Sequence, residues 1–505
     1  MSFRIKQPEK IARIATIATL SFVIAWGAVM VFAQVKPFWI DEARVIYNLK
    51  FKNAAMLWGQ LDYLQQFPRV YLQLVKLFTA TFDYSYTSLR IPSFIVGTLL
   101  ILFSYRLMNK LYSAANYNKF LFILILVSAS TFTDYYVEIK QYTMDLLLGF
   151  VAIWQLLELV QINNNKPTTT ARYLLLCTSF LAVPFFSYTY PIAIAPAFMI
   201  QLTFSTITLM DKDIQSGKTA ILAKQVFPLF LCGLSIALFY LIDVNQLMGD
   251  KDMHQFWGHL MMKNGFSLSV LTYGFYNLFA EIGSGMLYWY IFGILGIISF
   301  LSGAYNFLKY RWDNSVAHIM QLYSILLLIM MIILFLWGKY PLGEPRLNAF
   351  AIPAISMLII RFLDHLNEGN YKKLSGSISV ILFLGLIGNI FTTCYAGFTE
   401  PAYAKKMTIY RATERALQLA EQQNIPIMIT PGVVWPYDKT INYPYHNTVP
   451  GDWVLKTFPA YHVSTHLPVY PISKLADVTG NFNLLPASVD TVLAGDGEQY
   501  TLIGR

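Results

Sequence analysis

Long stretches of this chain carry almost no charge, and they leave few folds open to it. Apolar runs recur at 14–35, 90–107, 119–134, 142–160, 172–188, 190–209, 225–243, 285–307, 315–337, 347–363 and 374–396. A helix needs roughly 20 apolar residues to cross a bilayer. The pattern therefore predicts an α-helical polytopic membrane protein with about 11 transmembrane helices, the third, fifth and tenth being the short ones. Only 13% of the residues are charged and 56% are apolar, against roughly 25% charged in soluble domains. The net charge of +9 comes from Lys and Arg clustered in short connections. That pattern suits membrane orientation and not nucleic-acid binding.

Basic residues tend to stay on the cytoplasmic side. With the N-terminus in the cytoplasm, the inner connections carry Arg106, Lys110, Lys119, Lys166, Arg172, Lys212, Lys218, Lys224, Lys309, Arg311, Arg361, Lys372 and Lys373. The opposite side carries Lys140, Lys251, Lys263, Lys339 and Arg346 in its short connections. An odd number of crossings then puts the C-terminal tail outside. Arg4, Lys6, Lys10 and Arg13 precede the first apolar run, and no small-residue cleavage site follows, so that run reads as an uncleaved signal anchor. Cys177, Cys232 and Cys394 have no CxxC spacing and suggest neither a disulfide framework nor a thiolate metal site.

The domain reading is a transmembrane region at 1–396 and a small extracytoplasmic α/β region at 397–505. Residues 36–89 form a first outer loop, with amphipathic pieces at 54–64 and 70–78 expected to lie as short helices at the membrane interface. Residues 244–284 form a second large outer loop. In the tail, 405–423 reads as an amphipathic helix, and 425–430, 453–458 and 500–503 read as strands.

Three outer segments carry the chemistry. The first is Trp39-Ile40-Asp41-Glu42-Ala43-Arg44, where the first helix leaves the bilayer. Adjacent carboxylates at a membrane surface are costly to desolvate. Phe38 and Trp39 would anchor the helix end and fix the depth of Asp41, with Arg44 and Tyr47 on one helical face. A carboxylate so held can serve as a general base; the alternative is a solvated loop acid. The second is Asp134-Tyr135-Tyr136-Val137-Glu138-Ile139-Lys140-Gln141-Tyr142. Here Glu138 either pairs with Lys140 or joins Asp41, dividing base and acceptor-binding roles with it or sharing a divalent cation. Asp145, inside the next apolar run, is expected to hydrogen-bond a neighbouring helix. The third is Gly338-Lys339-Tyr340-Pro341-Leu342-Gly343-Glu344-Pro345-Arg346, an irregular turn whose Lys339 and Arg346 suit a lipid phosphate, or else bulk headgroups. His254 and His259, with Asp250 and Asp252, match no strong metal-site spacing. Gly-rich phosphate loops, GxSxG and HExxH motifs are absent from the sequence, which argues against ATP-driven or hydrolase chemistry.

The order of these segments, with Ser88-Leu89-Arg90-Ile91-Pro92-Ser93 opening the second apolar run, resembles the polytopic glycosyltransferases of the C-type (GT-C) fold. The protein O-mannosyltransferase and lipid A aminoarabinose transferase branch is the nearest in pattern. Residues 39–47 resemble its first-loop Asp-Glu motif, and Glu138-Ile139-Lys140-Gln141-Tyr142 is similar to its Glu-x-Arg-x-Tyr element with Lys for Arg. Tyr340-Pro341-Leu342-Gly343 with Arg346 looks like its late loop. The resemblance covers about residues 1–400 and leaves the tail unassigned.

It implies a polyprenyl-phosphate-linked sugar donor and a lipid, glycan or protein acceptor, with transfer by inversion on the outer face of a bacterial plasma membrane. Asp41 would be the base, Glu42 would position it or the acceptor, and Glu138 would be a second-loop acid. Lys339 and Arg346 would hold the donor phosphate; Arg44, Lys140, Tyr142 and Tyr340 would contact substrate. No cofactor is implied beyond a divalent cation, whose need varies across the fold. The alternative from the residues is a transporter or lipid flippase, which would show internal repeats and polar groups near the midplane; no repeat of fixed period is present.

Overall fold

The apolar runs fold as helices. The computed structural model describes residues 8–245, 267–309 and 315–400, apart from short gaps within them, and in the tail residues 415, 419 and 422–425 and four strand segments. Among the described residues, nine helices are long and apolar enough to cross a membrane, the first near the N-terminus and the last spanning Lys372–Thr399. The protein is thus an α-helical polytopic integral membrane protein. Two further apolar helices, Asn118–Ser128 and Thr170–Phe186, are shorter. They are the third and fifth of the eleven expected runs, and their brevity has a packing counterpart. Every residue of Asn118–Ser128 is buried, so protein and not lipid surrounds this helix. The tenth run, by contrast, extends over Pro345–Glu368.

The chain divides into two compact units. One comprises Met1–Gly27, Gln66–Tyr71 and Ser93–Tyr395; the other comprises Ala28–Gln65, Leu72–Pro92 and Ala396–Arg505.

In the larger unit, the Tyr142–Asn163 helix is the central element, with sixteen buried residues among its twenty-two. Gly149 lets the irregular Pro345–Ala351 turn press onto it: a Cβ at 149 would strike the carbonyl oxygen of Phe350 and come within 2.8 Å of its carbonyl carbon. Buried charges towards the Asn163 end are paired. Glu158, nearly fully buried, accepts from Arg172 Nη2 at 2.6 Å. Asp364 accepts from Asn118 Nδ2 at 2.7 Å and pairs with Arg361 at 3.3 Å. Capping side chains start two helices: Thr169 accepts from Arg172 N and Ser315 from His318 N, both at 3.3 Å.

In the second unit, the described residues of the first-loop segment expected at 54–64 form a 3-10 turn at Met56–Trp58, which ends where the chain turns extended at Gly59 (φ −82°, ψ −165°). The segment expected at 70–78 is the amphipathic helix Arg69–Thr81. Lys76 Nζ donates to Leu49 O at 2.5 Å, and Gln73 Nε2 donates to Ala54 O at 2.5 Å. These bonds tie the part of this helix within the unit to the Ile40–Phe51 helix and to the loop after it.

The tail has a four-stranded sheet of order β2-β1-β3-β4, with β1 Ile427–Ile429, β2 Val469–Pro471, β3 Thr491–Gly495 and β4 Tyr500–Gly504. β1 runs parallel to β2 and β3, while β3 and β4 are antiparallel. β1 and β4 fall where strands were expected, and β2 and β3 were not anticipated. The expected strand at 453–458 and most of the expected helix at 405–423 lie outside the described residues, as do His254 and His259.

Candidate active site

The Asp-Glu motif begins a helix, Ile40–Phe51, with both acids in its first turn. Adjacent helical residues point about 100° apart, and the two carboxylates enter different surroundings. Glu42 is fully buried and accepts from Arg90 Nη2 at 3.0 Å, and Arg90 is fully buried as well. The Arg90 guanidinium also lies over the rings of Phe38 (4.7 Å) and Tyr86 (4.8 Å), which themselves pack together at 4.7 Å. Phe38 is therefore part of a buried clasp that fixes the Ile40–Phe51 helix to the start of the Tyr86–Leu111 helix. Trp39 lies outside the described residues. Asp41 keeps 20% of its side chain exposed and pairs with Arg44 Nη1 at 3.4 Å.

In the larger unit, the 134–142 segment is a buried turn. Glu138, Lys140, Gln141 and Tyr142 are each at most 7% exposed. The turn is held by Lys140 N donating to Glu138 O (2.8 Å), by Thr143 Oγ1 donating to Tyr135 O (2.7 Å) and by Gln141 Nε2 donating to Gln66 O (3.3 Å). The Tyr135 and Tyr142 rings meet edge to face at 4.6 Å.

The late loop starts from a Schellman cap on the Val316–Leu336 helix. Gly338 takes φ 66°, its N–H donates to Phe335 O at 2.8 Å, and Lys339 N donates to Leu334 O at 2.9 Å. Lys339 is exposed beside this cap. Tyr340 is buried, with its hydroxyl donating to Leu347 O at 2.5 Å. Arg346 Nε lies 2.5 Å from Glu344 Oε1, with both side chains 20% exposed.

Tyr135 is where these two segments meet. Burial pushes its phenol well up, with Tyr142 and then Glu138 adding to the rise and Arg346 opposing it. Glu138, Tyr142 and Arg346 thus act on one side chain, joining two of the three expected segments in one neighbourhood. Asp41 belongs to the other compact unit.

Sequence reasoning missed the Arg90 clasp, although Arg90 stands inside a quoted motif; its wholly buried partner gives no signal in the sequence. It also missed a second set of buried polar groups. Asp145 accepts from the Ser187 hydroxyl, which lies 3.0 Å from Thr189 Oγ1. This is the interhelical bond expected for Asp145, made to the turn before the Tyr190–Met210 helix. Asp243 accepts from Arg69 N at 2.8 Å and from the Tyr188 hydroxyl at 2.7 Å, and lies 3.7 Å from Arg69 Nε. Among the described residues, no three His, Cys, Asp or Glu side chains gather closely enough to hold a metal ion.

This is a polytopic membrane protein whose candidate motifs lie at helix starts and in the connections between helices. No family model matches the chain, and no curated protein does. Among solved structures it is similar to ArnT from Cupriavidus metallidurans bound to undecaprenyl phosphate. That match has 12% identity and a TM-score of 0.49, and covers 94% of this chain and 88% of that one. The apo form of the same protein gives a TM-score of 0.47 at 12% identity, covering 94% and 89%. The archaeal oligosaccharyltransferase AglB from Archaeoglobus fulgidus, in complex with an inhibitory peptide and a dolichol-phosphate, gives 0.41 at 12% identity, covering 95% and 69%. At this identity the likeness assigns no residue its role.

Proposed function

We propose that this protein is a membrane glycosyltransferase. It moves a sugar from a polyprenyl-phosphate-linked donor to a lipid, glycan or protein acceptor, on the extracytoplasmic face of a bacterial plasma membrane. The observation that carries the reading is the contrast within the Asp-Glu motif. Glu42 is consumed by a wholly buried ion pair, while Asp41, one residue earlier, keeps an accessible carboxylate at a helix start. A buried clasp that fixes a helix supports a positioned base on that helix. Glu42 is then a positioning residue. The basic-residue bias supports an N-in arrangement with these segments outside.

The chemistry follows from the residue types. Asp41 takes the proton from an acceptor hydroxyl or amine as that atom attacks the anomeric carbon from the face opposite the phosphate. The bond from that carbon to the phosphate oxygen breaks, its electron pair stays on oxygen, and polyprenyl phosphate leaves with inversion at carbon. The leaving group is a weak base, so cationic side chains suffice to stabilise it without a general acid. Lys339 and Arg346 take that role, with Glu344 orienting Arg346. Glu138 and Lys140 shape the buried turn beside Arg346, and Arg44, Tyr142 and Tyr340 line the substrate path.

The test is transfer from polyprenyl-phosphate-linked radiolabelled sugars to envelope extracts by the purified protein in lipid nanodiscs. Asp41→Asn should lower transfer by about 10²–10⁴-fold, the scale of a lost general base, with an unchanged unfolding midpoint. Undiminished transfer by Asp41→Asn would sink the assignment.

A further inference from the structure

The short Ser130–Tyr135 helix packs against the Pro345–Ala351 turn of the late loop, and a small cleft lies at this joint. Thr131 from the helix, Asn277 from the Leu268–Ala280 helix and Asn348 from the turn line it, all three buried. Among the described residues, Thr131 Oγ1, Asn277 Oδ1 and Asn348 Oδ1 each have no hydrogen-bond partner. The Asn348 amide is oriented by its Nδ2, which donates to Leu342 O at 2.6 Å. The space open to a water centre is about 10 Å³, enough for one water. Such a water donates to the two amide oxygens and accepts from the Thr131 hydroxyl, which satisfies all three atoms. It ties the helix to the late loop at one point.

Tyr135 follows Thr131 by four positions, on the same helical face. Arg346 follows Pro345, which lines the cleft on the other side. The water joint thus sets these two side chains relative to each other, and Arg346 acts on the Tyr135 phenol. The Tyr135 ring is held by the Tyr142 ring at 4.6 Å, and its carbonyl accepts from Thr143 Oγ1 at 2.7 Å. Among the described residues, its hydroxyl has no hydrogen-bond partner. Burial, with Tyr142 and Glu138 adding to it, keeps that hydroxyl protonated, so it serves as a donor and not as a base. A fixed neutral donor beside a guanidinium suits an anion with several acceptor oxygens. We propose that Tyr135 is a further donor-binding residue: its hydroxyl donates to an oxygen of the lipid-linked phosphate whose charge Arg346 meets. The inference rests on the glycosyltransferase reading for its ligand. It adds the uncharged half of the phosphate seat and the joint that holds the two halves in register.

Binding without turnover separates this inference from the reading it rests on, which stands or falls on transfer by Asp41→Asn. Radiolabelled farnesyl phosphate is titrated into the full chain in phosphatidylcholine nanodiscs, with binding read by scintillation proximity. Saturable binding by the wild type is expected. Tyr135→Phe should raise Kd by about tenfold or more, the scale of a hydrogen bond to a charged group. The hydroxyl bonds nothing within the protein, so its removal should leave the unfolding midpoint unchanged. Thr131→Val, which takes one bond from the water, should raise Kd as well, while Thr131→Ser, which keeps the hydroxyl, should match wild type. Equal Kd values in wild type and Tyr135→Phe would overturn the assignment, as would a lowered midpoint in that variant or no saturable binding by the wild type. A Thr131→Val variant that binds like wild type would remove the joint from the argument and leave Tyr135 to stand on its own Kd.

Discussion

The Glu42–Arg90 pair makes the sharpest quantitative test, because both side chains are fully buried and 3.0 Å apart. Remove one charge with little change of shape, as in Glu42→Gln, and the buried Arg90 loses the Glu42 carboxylate. Breaking one side of a buried ion pair costs about 3–5 kcal/mol. The aromatic faces of Phe38 and Tyr86 lie within 4.8 Å of the guanidinium and retain about 2 kcal/mol of cation–π attraction at best. They soften the loss without cancelling it, so a destabilisation of about 3 kcal/mol is expected. Replacing both partners with apolar residues, Glu42→Leu with Arg90→Met, removes the charge and its need together. That double variant should recover most of the loss, since apolar replacement of a buried pair is commonly neutral or stabilising. Equilibrium unfolding of wild type, Glu42→Leu, Arg90→Met and the double variant in mixed micelles, analysed as a double-mutant cycle, gives the coupling, with Glu42→Gln measured alongside. The reasoning fails if Glu42→Gln loses less than about 1 kcal/mol, the scale of an exposed pair. It also fails if the double variant is as unstable as the sum of the singles. Transfer adds a second readout: Glu42→Gln should lose activity together with stability, while Asp41→Asn should lose activity alone.

Other variants probe the late loop and the buried polar set. Gly149→Val places a side chain against the Phe350 carbonyl; it should destabilise by about 1–3 kcal/mol, the range for overpacking, read as a lowered unfolding midpoint, and an unchanged midpoint would contradict the close approach. Arg346→Ala should raise KM for the lipid-linked donor at least tenfold, as expected for a lost charge-assisted phosphate bond of about 1.5–3 kcal/mol, and an unchanged donor KM would remove Arg346 from the phosphate site. Arg69→Met leaves Asp243 buried with only the Tyr188 hydroxyl and the Arg69 N–H to meet it; a loss of about 3–5 kcal/mol is expected, and Asp243→Asn in the same chain should restore part of it.

The sequence made the membrane class and most of the helices legible because lipid imposes one strong rule: apolar runs of sufficient length. Asn118–Ser128 shows where the rule weakens, since a helix surrounded by protein has no bilayer to match. Strand β2 escaped notice because Pro468 precedes it and Pro471 ends it, and proline argues against a strand. In the candidate site, the motif residues were legible by type and order, but their environments were not. Asp41 and Glu42 are identical in charge and adjacent in sequence, and only the placement of Arg90, forty-eight positions later, makes one of them structural. Nothing in the sequence marked Thr131, Asn277 and Asn348 as a group, because they lie on three separate segments.

A common physical criterion sorts these polar residues. In a protein with so few charges, a buried polar group must either find a partner or face something that brings one. Glu42, Asp145, Glu158 and Asp243 have found theirs in Arg90, Ser187, Arg172 and the Arg69–Tyr188 pair. Each such bond holds two segments together, and its energy is committed in the resting protein. A residue whose bonding is complete has little left to offer a substrate. Thr131, Asn277 and Asn348 are the opposite case: they keep unspent bonding capacity in one cleft, and Asp41 keeps an accessible carboxylate at a clasped helix end. Function is therefore better sought where bonding is incomplete than where the acids are most deeply buried. By that standard Thr131, Asn277 and Asn348, and not the intramembrane Asp145, come first for mutation, with Asp41 beside them for its partly exposed carboxylate.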